Sequence, residues 1–148
     1  AKNIVKTLYN TVSGKTIAFL GWAFKKDTND TRESAAIYVA DQLMDEQASI
    51  KVYDPKVSAS QMQSDLNYLN SRTETENSKY LQTETDPYKA LEGAHAIAVL
   101  TEWDAFKNYD WQSIYGNMQK PAFVFDGRNV LDQKELETIG FVYKSIGN

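Results

Sequence analysis

The sequence predicts an α/β fold, a three-layer sandwich around a mostly parallel sheet of about six strands. Short apolar runs of strand length (residues 16–20, 96–100 and 122–125) alternate with segments of helical spacing. These runs are apolar at successive positions, as strands covered on both faces are. Each ends in a polar or turn-forming segment, so the loops that follow the strands gather at one edge of the sheet.

Taken in order, Ile4, Val5, Leu8 and Tyr9 recur at helical spacing, and Ser13-Gly14 ends that segment. Strand 16–20 follows. A polar loop leads to a helix expected to open at about Asp30, where Asp30 and Glu33 fit a capping box. Ala36, Val39, Ala40, Leu43 and Met44 supply its apolar stripe. A strand over 50–53 stops at Asp54-Pro55. The tract 58–79 is polar, with scattered Met62, Leu66, Tyr68 and Leu69, and reads as a surface excursion with one or two helical turns. A short strand is expected over 80–83. Asp86 and Pro87 then suit the N-cap and first position of a small helix. Strand 96–100 follows, then a helical segment over 110–118 that Lys120-Pro121 stops. Strand 122–125 ends at Asp126-Gly127-Arg128-Asn129. A short helix over 134–138 and a strand near 141–143 close the chain. Strand–helix alternation through right-handed crossovers makes this a Rossmann-like sandwich.

With 148 residues, 42% of them hydrophobic, the chain suits one compact domain. No apolar run approaches the roughly 20 residues of a membrane span, and the first residues lack the apolar block of a signal peptide. A soluble, cytoplasmic domain without membrane association is expected. The net charge of −4 argues against a nucleic-acid partner. There is no Cys and one His, His95, which removes a thiolate nucleophile and a His-rich metal site; no metal is expected. The chain opens at Ala1, as a piece of something longer would.

Against that acidic background the loop Gly21–Ser34 stands out, because it carries Lys25, Lys26 and Arg32 between a strand and a helix start. Free N–H groups and the helix dipole favour an anion there. A dinucleotide fold would place G-x-G-x-x-G here, yet only Gly21 is present, with Ala23 and Lys26 at the later positions; no P-loop string exists either. A phosphate would be met by side chains: Lys25 as a point charge, an Arg as a fork. Each has an alternative. The lysines could be solvated surface, Arg32 could pair with Asp30 or Glu33, and Phe24 could be a core plug instead of a stacking face. Asp54 could form a turn instead of holding ribose hydroxyls, and Arg128 could bridge to Asp126. His95 reads as structural, and Trp103, Phe106, Tyr109 and Trp111 as packing around a short helix.

The string from Gly21 to Ser34 resembles the signature G-x-A-F-K-x-x-T-x-D-x-R-x-S of the C-terminal UDP-binding domain of the UDP-glucose/GDP-mannose dehydrogenase family. Tyr53-Asp54-Pro55, Thr101-Glu102-Trp103 and Phe125-Asp126-Gly127-Arg128-Asn129 match in order, so the resemblance spans essentially the whole chain. It implies oxidation of the C6 hydroxyl of UDP-glucose to a carboxylate with two NAD in succession. It further implies that Phe24, Lys25 and Arg128 contact the UDP-sugar and that Arg32 reaches toward NAD across an interdomain cleft. Asp30 and Ser34 would hold the loop and cap the helix, Trp22 would take a packing position, and 58–79 would match a variable insertion. The family's thiol cannot be here, so no catalytic residue is expected in this chain. Residues 1–12 are expected to be the tail of a linking helix and 13–148 the UDP-sugar-binding domain. The N-terminal NAD-binding and central domains would lie elsewhere in a homo-oligomeric protein. A free-standing nucleotide-sugar binding module of the same fold is the alternative.

Overall fold

The computed structural model describes residues 12–145. The helical spacing of Ile4 to Tyr9 and nearly all of the expected linking tail lie outside them. Six strands, β1 (Thr16–Leu20), β2 (Ser49–Tyr53), β3 (Leu81–Thr83), β4 (Ala96–Val99), β5 (Phe123–Asp126) and β6 (Val142–Ser145), form one sheet in the order β3-β2-β1-β4-β5-β6. All five pairings are parallel. This is the doubly wound order, and it puts the reversal of strand order between β1 and β4. The crevice that ligands use in such sheets lies outside the carboxyl ends of those two strands.

Side-chain alternation along a strand divides the core into two layers. Ile17 and Phe19 face α1 (Ala35–Asp45) and α2 (Ala59–Leu69), in one layer with Ala36, Leu43, Met62 and Leu66. Ala18 and Leu20 face the other layer. That layer holds Leu91 of α4 (Pro87–Leu91), Phe106 of the 3-10 turn Asp104–Asn108, Trp111 of α5 (Trp111–Gly116) and Leu136 of α6 (Gln133–Ile139). The expected aromatic packing around the short helix is present, with Phe106 and Tyr109 centroids 5.7 Å apart. His95 is structural among the described residues: its Nδ1 accepts the Thr16 N–H at 3.1 Å, and burial, then Lys15, push its pKa down.

Two expectations are corrected. The helix after β1 does not open at Asp30. Its N-cap is Ser34, whose Oγ accepts the Ala36 N–H, while Glu33 sits in left-handed backbone with φ 62°. Within its stripe, Ile37 is buried and Val39 only half-buried. The tract 58–79 is also more than an excursion. It folds into α2, eleven residues capped by Ser58, and α3 (Glu74–Tyr80), which starts in a Thr73–Glu76 capping box. Arg72 between them bonds Asp41 and Asp45 of α1 and the Asn77 side chain.

Candidate functional site

The loop after β1 is tied down at its root. Gly21 takes φ +103°, donates its N–H to the Tyr53 carbonyl at 2.8 Å, and lets β4's continuation approach closely. A Cβ there would stand 2.3 Å from Thr101 Oγ1. The Thr101 hydroxyl instead donates to the Ala23 carbonyl at 2.9 Å. Asp54, just beyond β2 and 7% exposed, is the main anchor. Its Oδ2 accepts the N–H groups of Trp22 (2.7 Å) and Ala23 (2.9 Å) and the Trp103 indole N–H (3.3 Å). Its Oδ1 accepts those of Lys56 and Val57. Asp54 is therefore the turn-former, extended to join the ends of β1, β2 and β4. Trp22 is fully buried at the packing position expected of it, and its indole donates to Asp65 of α2 at 2.9 Å.

Beyond that root the loop closes on itself. The Phe24 N–H donates to the Asp30 carbonyl at 2.7 Å, Asp27 takes φ 63°, and the Ser34 hydroxyl returns to the Trp22 carbonyl at 2.7 Å. Ser34 thus caps the helix and holds the loop, as the resemblance implied. Phe24 is 41% exposed and is no core plug.

The cations sort into two groups. Glu102, in the segment after β4, bridges the first. Its Oε1 accepts the Lys26 N–H at 2.9 Å, and its Oε2 accepts Arg128 Nε at 2.7 Å and lies 2.5 Å from Nη2. Burial opposes its ionisation, but the Lys26 N–H and the Arg128 guanidinium hold its carboxyl below the usual range. Lys26 Nζ stands 3.6 Å from Asp104, and Lys25 forms no ion pair among the described residues. The alternative of an Arg128–Asp126 side-chain bridge does not form, because the Asp126 carboxylate is occupied by other donors. It accepts the N–H groups of Arg128, Val130 and Leu131 and the Tyr143 hydroxyl. Arg32 stands apart, forked onto Asp30 at 3.0 and 2.9 Å, with its side chain 88% exposed. That fork brings the Asp30 carboxyl down to about 2.

Phe24 and Lys25 are exposed on the β1 loop and Arg128 on the β5 turn, which Glu102 joins, while Arg32 is forked onto Asp30, whose carboxyl also feels the charge of Lys25. A cavity of about 360 Å³, lined by Asp54 with Tyr53, Lys56 and Thr83, lies beside this edge at the β2 and β3 ends, and one of about 610 Å³ (Ser13, Arg72, Tyr80) lies away from it; neither is lined by Phe24, Lys25, Arg32 or Arg128. Glu102, Asp126 and Thr101 escaped sequence reasoning as organisers. Their signals are polar residues just past central strands, a pattern that any turn shares, and their place in the matched motifs, which does not say what they hold.

Residues 18–133 match the model of the UDP-glucose/GDP-mannose dehydrogenase family, UDP binding domain. UDP-glucose 6-dehydrogenase of Caenorhabditis elegans is 52% identical over 147 residues, and that of Rattus norvegicus 50% over 149; both alignments cover 99% of this chain and 30% of the relative. The crystal structure of NDP-N-acetyl-D-galactosaminuronic acid dehydrogenase from Methanosarcina mazei Go1 has a TM-score of 0.75 at 26% identity, over 99% of this chain and 27% of that one. The chain accordingly spans about 30% of the length of the curated relatives it matches. The family match covers most of the sheet and runs from the β1 loop through Arg128, so this chain belongs to the UDP-glucose/GDP-mannose dehydrogenase family as its UDP-binding domain.

Proposed function

We propose that this chain is the C-terminal domain of a UDP-glucose 6-dehydrogenase, an NAD-dependent enzyme that oxidises UDP-glucose to UDP-glucuronate, and that its part is to grip UDP. One observation carries the reading: the Phe24–Lys26 turn and Arg128 are held to a single carboxylate beside the switch point of the sheet. Glu102 occupies Nε and Nη2 of Arg128, so the Nη1 edge is left for a diphosphate oxygen. Lys25, which has no ion pair among the described residues, supplies a positive charge, and the exposed Phe24 ring offers an apolar face to the nucleotide. Holding UDP fixes the sugar carbon near chemistry carried by other domains, a positioning role.

NAD supplies the hydride acceptor in such an enzyme. It does not fit the usual dinucleotide seat of this topology here, since Asp54 is buried under five donors and Gly21 is pressed against Thr101. Arg32 fits a phosphate contact, because its exposed fork leaves Nη1 unengaged. The NAD-binding and thiol-bearing domains, a linking helix ending near residue 12, a homo-oligomer and a cytoplasmic setting belong to the same proposal.

A charge-assisted hydrogen bond contributes about 1.5–3 kcal/mol. Lys25→Ala or Arg128→Ala in the full-length enzyme should therefore weaken UDP binding about 10- to 100-fold by calorimetry, with melting temperature unchanged. Wild-type affinity in both variants removes these residues from the site.

A further inference from the structure

Glu102 sits at the one place where an acid is least expected, between the cations offered to a diphosphate. A carboxylate there either repels the ligand or arranges the groups that bind it. Its oxygens decide the matter. One accepts a backbone N–H of the β1 loop and the other the guanidinium of Arg128, so both face donors from this chain. The side chain is about a quarter exposed, enough for the bridge to lie at the edge instead of in the core. An unrestrained Arg must lose rotamer freedom on binding, and a fork already seated along Nε and Nη2 has lost it beforehand.

We propose that Glu102 is a positioning residue for the diphosphate site, joining the loop after β1 to the turn after β5 and presetting the Nη1 edge of Arg128. The inference rests on the UDP reading above. Of the other nearby carboxylates, Asp126 takes only the backbone N–H of Arg128, and neither Asp104 beside Lys26 nor Asp30 beside Arg32 touches Arg128 among the described residues.

The test is a double-variant cycle in the full-length enzyme, with UDP affinity by calorimetry and melting temperature measured in parallel. Glu102→Gln is the informative change, since the amide oxygen can still accept the Lys26 N–H while the charge facing Arg128 is lost. The expected result is UDP binding weakened about tenfold in the presence of Arg128 and less than about twofold in the Arg128→Ala background. A purely structural role would produce the same loss in both backgrounds, which overturns the proposal. Unchanged or tighter binding by Glu102→Gln also overturns it, because the acid is then a bystander or a competitor. If the Gln variant does not fold, Glu102→Asp carries the same comparison, keeping the charge but too short to span both donors. Wild-type enzyme that fails to bind UDP sinks the UDP reading itself, a separate result from binding that ignores residue 102.

Discussion

Asp54 accomplishes with one side chain what a run of glycines does in other sheets of this order, fixing a sharp departure from the first strand. Glycines let the backbone turn freely, whereas Asp54 captures the N–H groups of Trp22 and Ala23 and holds the turn in one shape. Asp54→Ala should cost about 3 kcal/mol or more in urea unfolding, because several buried donors lose their acceptor together. Gly21→Ala should destabilise as well, since its Cβ meets Thr101 and its backbone stays left-handed. If Gly21→Ala unfolds at wild-type urea concentration, the close approach of β4's end is refuted. Tyr143 gives a pH test. Burial, then its hydrogen bond to Asp126, raises its pKa above the ordinary 10.0. A raised folded pKa contributes stability that is complete below pH 10 and fades as pH climbs toward the folded value. The melting temperature should drop above pH 10, less steeply in Tyr143→Phe.

The elements show what spacing can and cannot reveal. Residues 16–20 and the Asp86-Pro87 helix start were legible, because an unbroken apolar run and a Pro at the first helical position each admit few alternatives. The start of α1 was not. Asp30 and Glu33 have capping-box spacing, but the Asp30 carboxylate is taken by the N–H and fork of Arg32 two residues on. The helix waits for Ser34, which can both cap and reach Trp22. Ser34→Ala should cost about 1 kcal/mol through the lost cap, and more through the freed Trp22 carbonyl; an unchanged urea midpoint would contradict that double role. Helix α2 was hidden by composition, since Met62 and Leu66 are the only side chains it fully buries, and its further support is polar: the Ser58 cap, Asp65 under the Trp22 indole, Gln63 on the Leu81 carbonyl and Asn67 with Asn77. Of the site, the loop cations were legible as residue types, but their partners were not. Arg128 chose Glu102, 26 positions away, over the nearer Asp126, and such a choice is made by the sheet and never by spacing.

For the molecule as a whole, the two-faced parallel sheet follows from strand and helix alternation, and its switch point brings distant loops to one edge. Because Asp54 and Thr101 fill the usual dinucleotide seat of this sheet, the pure 148-residue chain given UDP-glucose and NAD should produce no NADH by absorbance at 340 nm. Any steady production overturns the division of labour proposed above. The three tryptophans carry a last consequence. All are buried, and the indoles of Trp22 and Trp103 donate to Asp65 and Asp54, the carboxylates that brace the β1 loop. The unlabelled chain therefore contains its own optical probe: emission at the blue end of the indole range when the loop is seated, moving to the red as soon as it lifts.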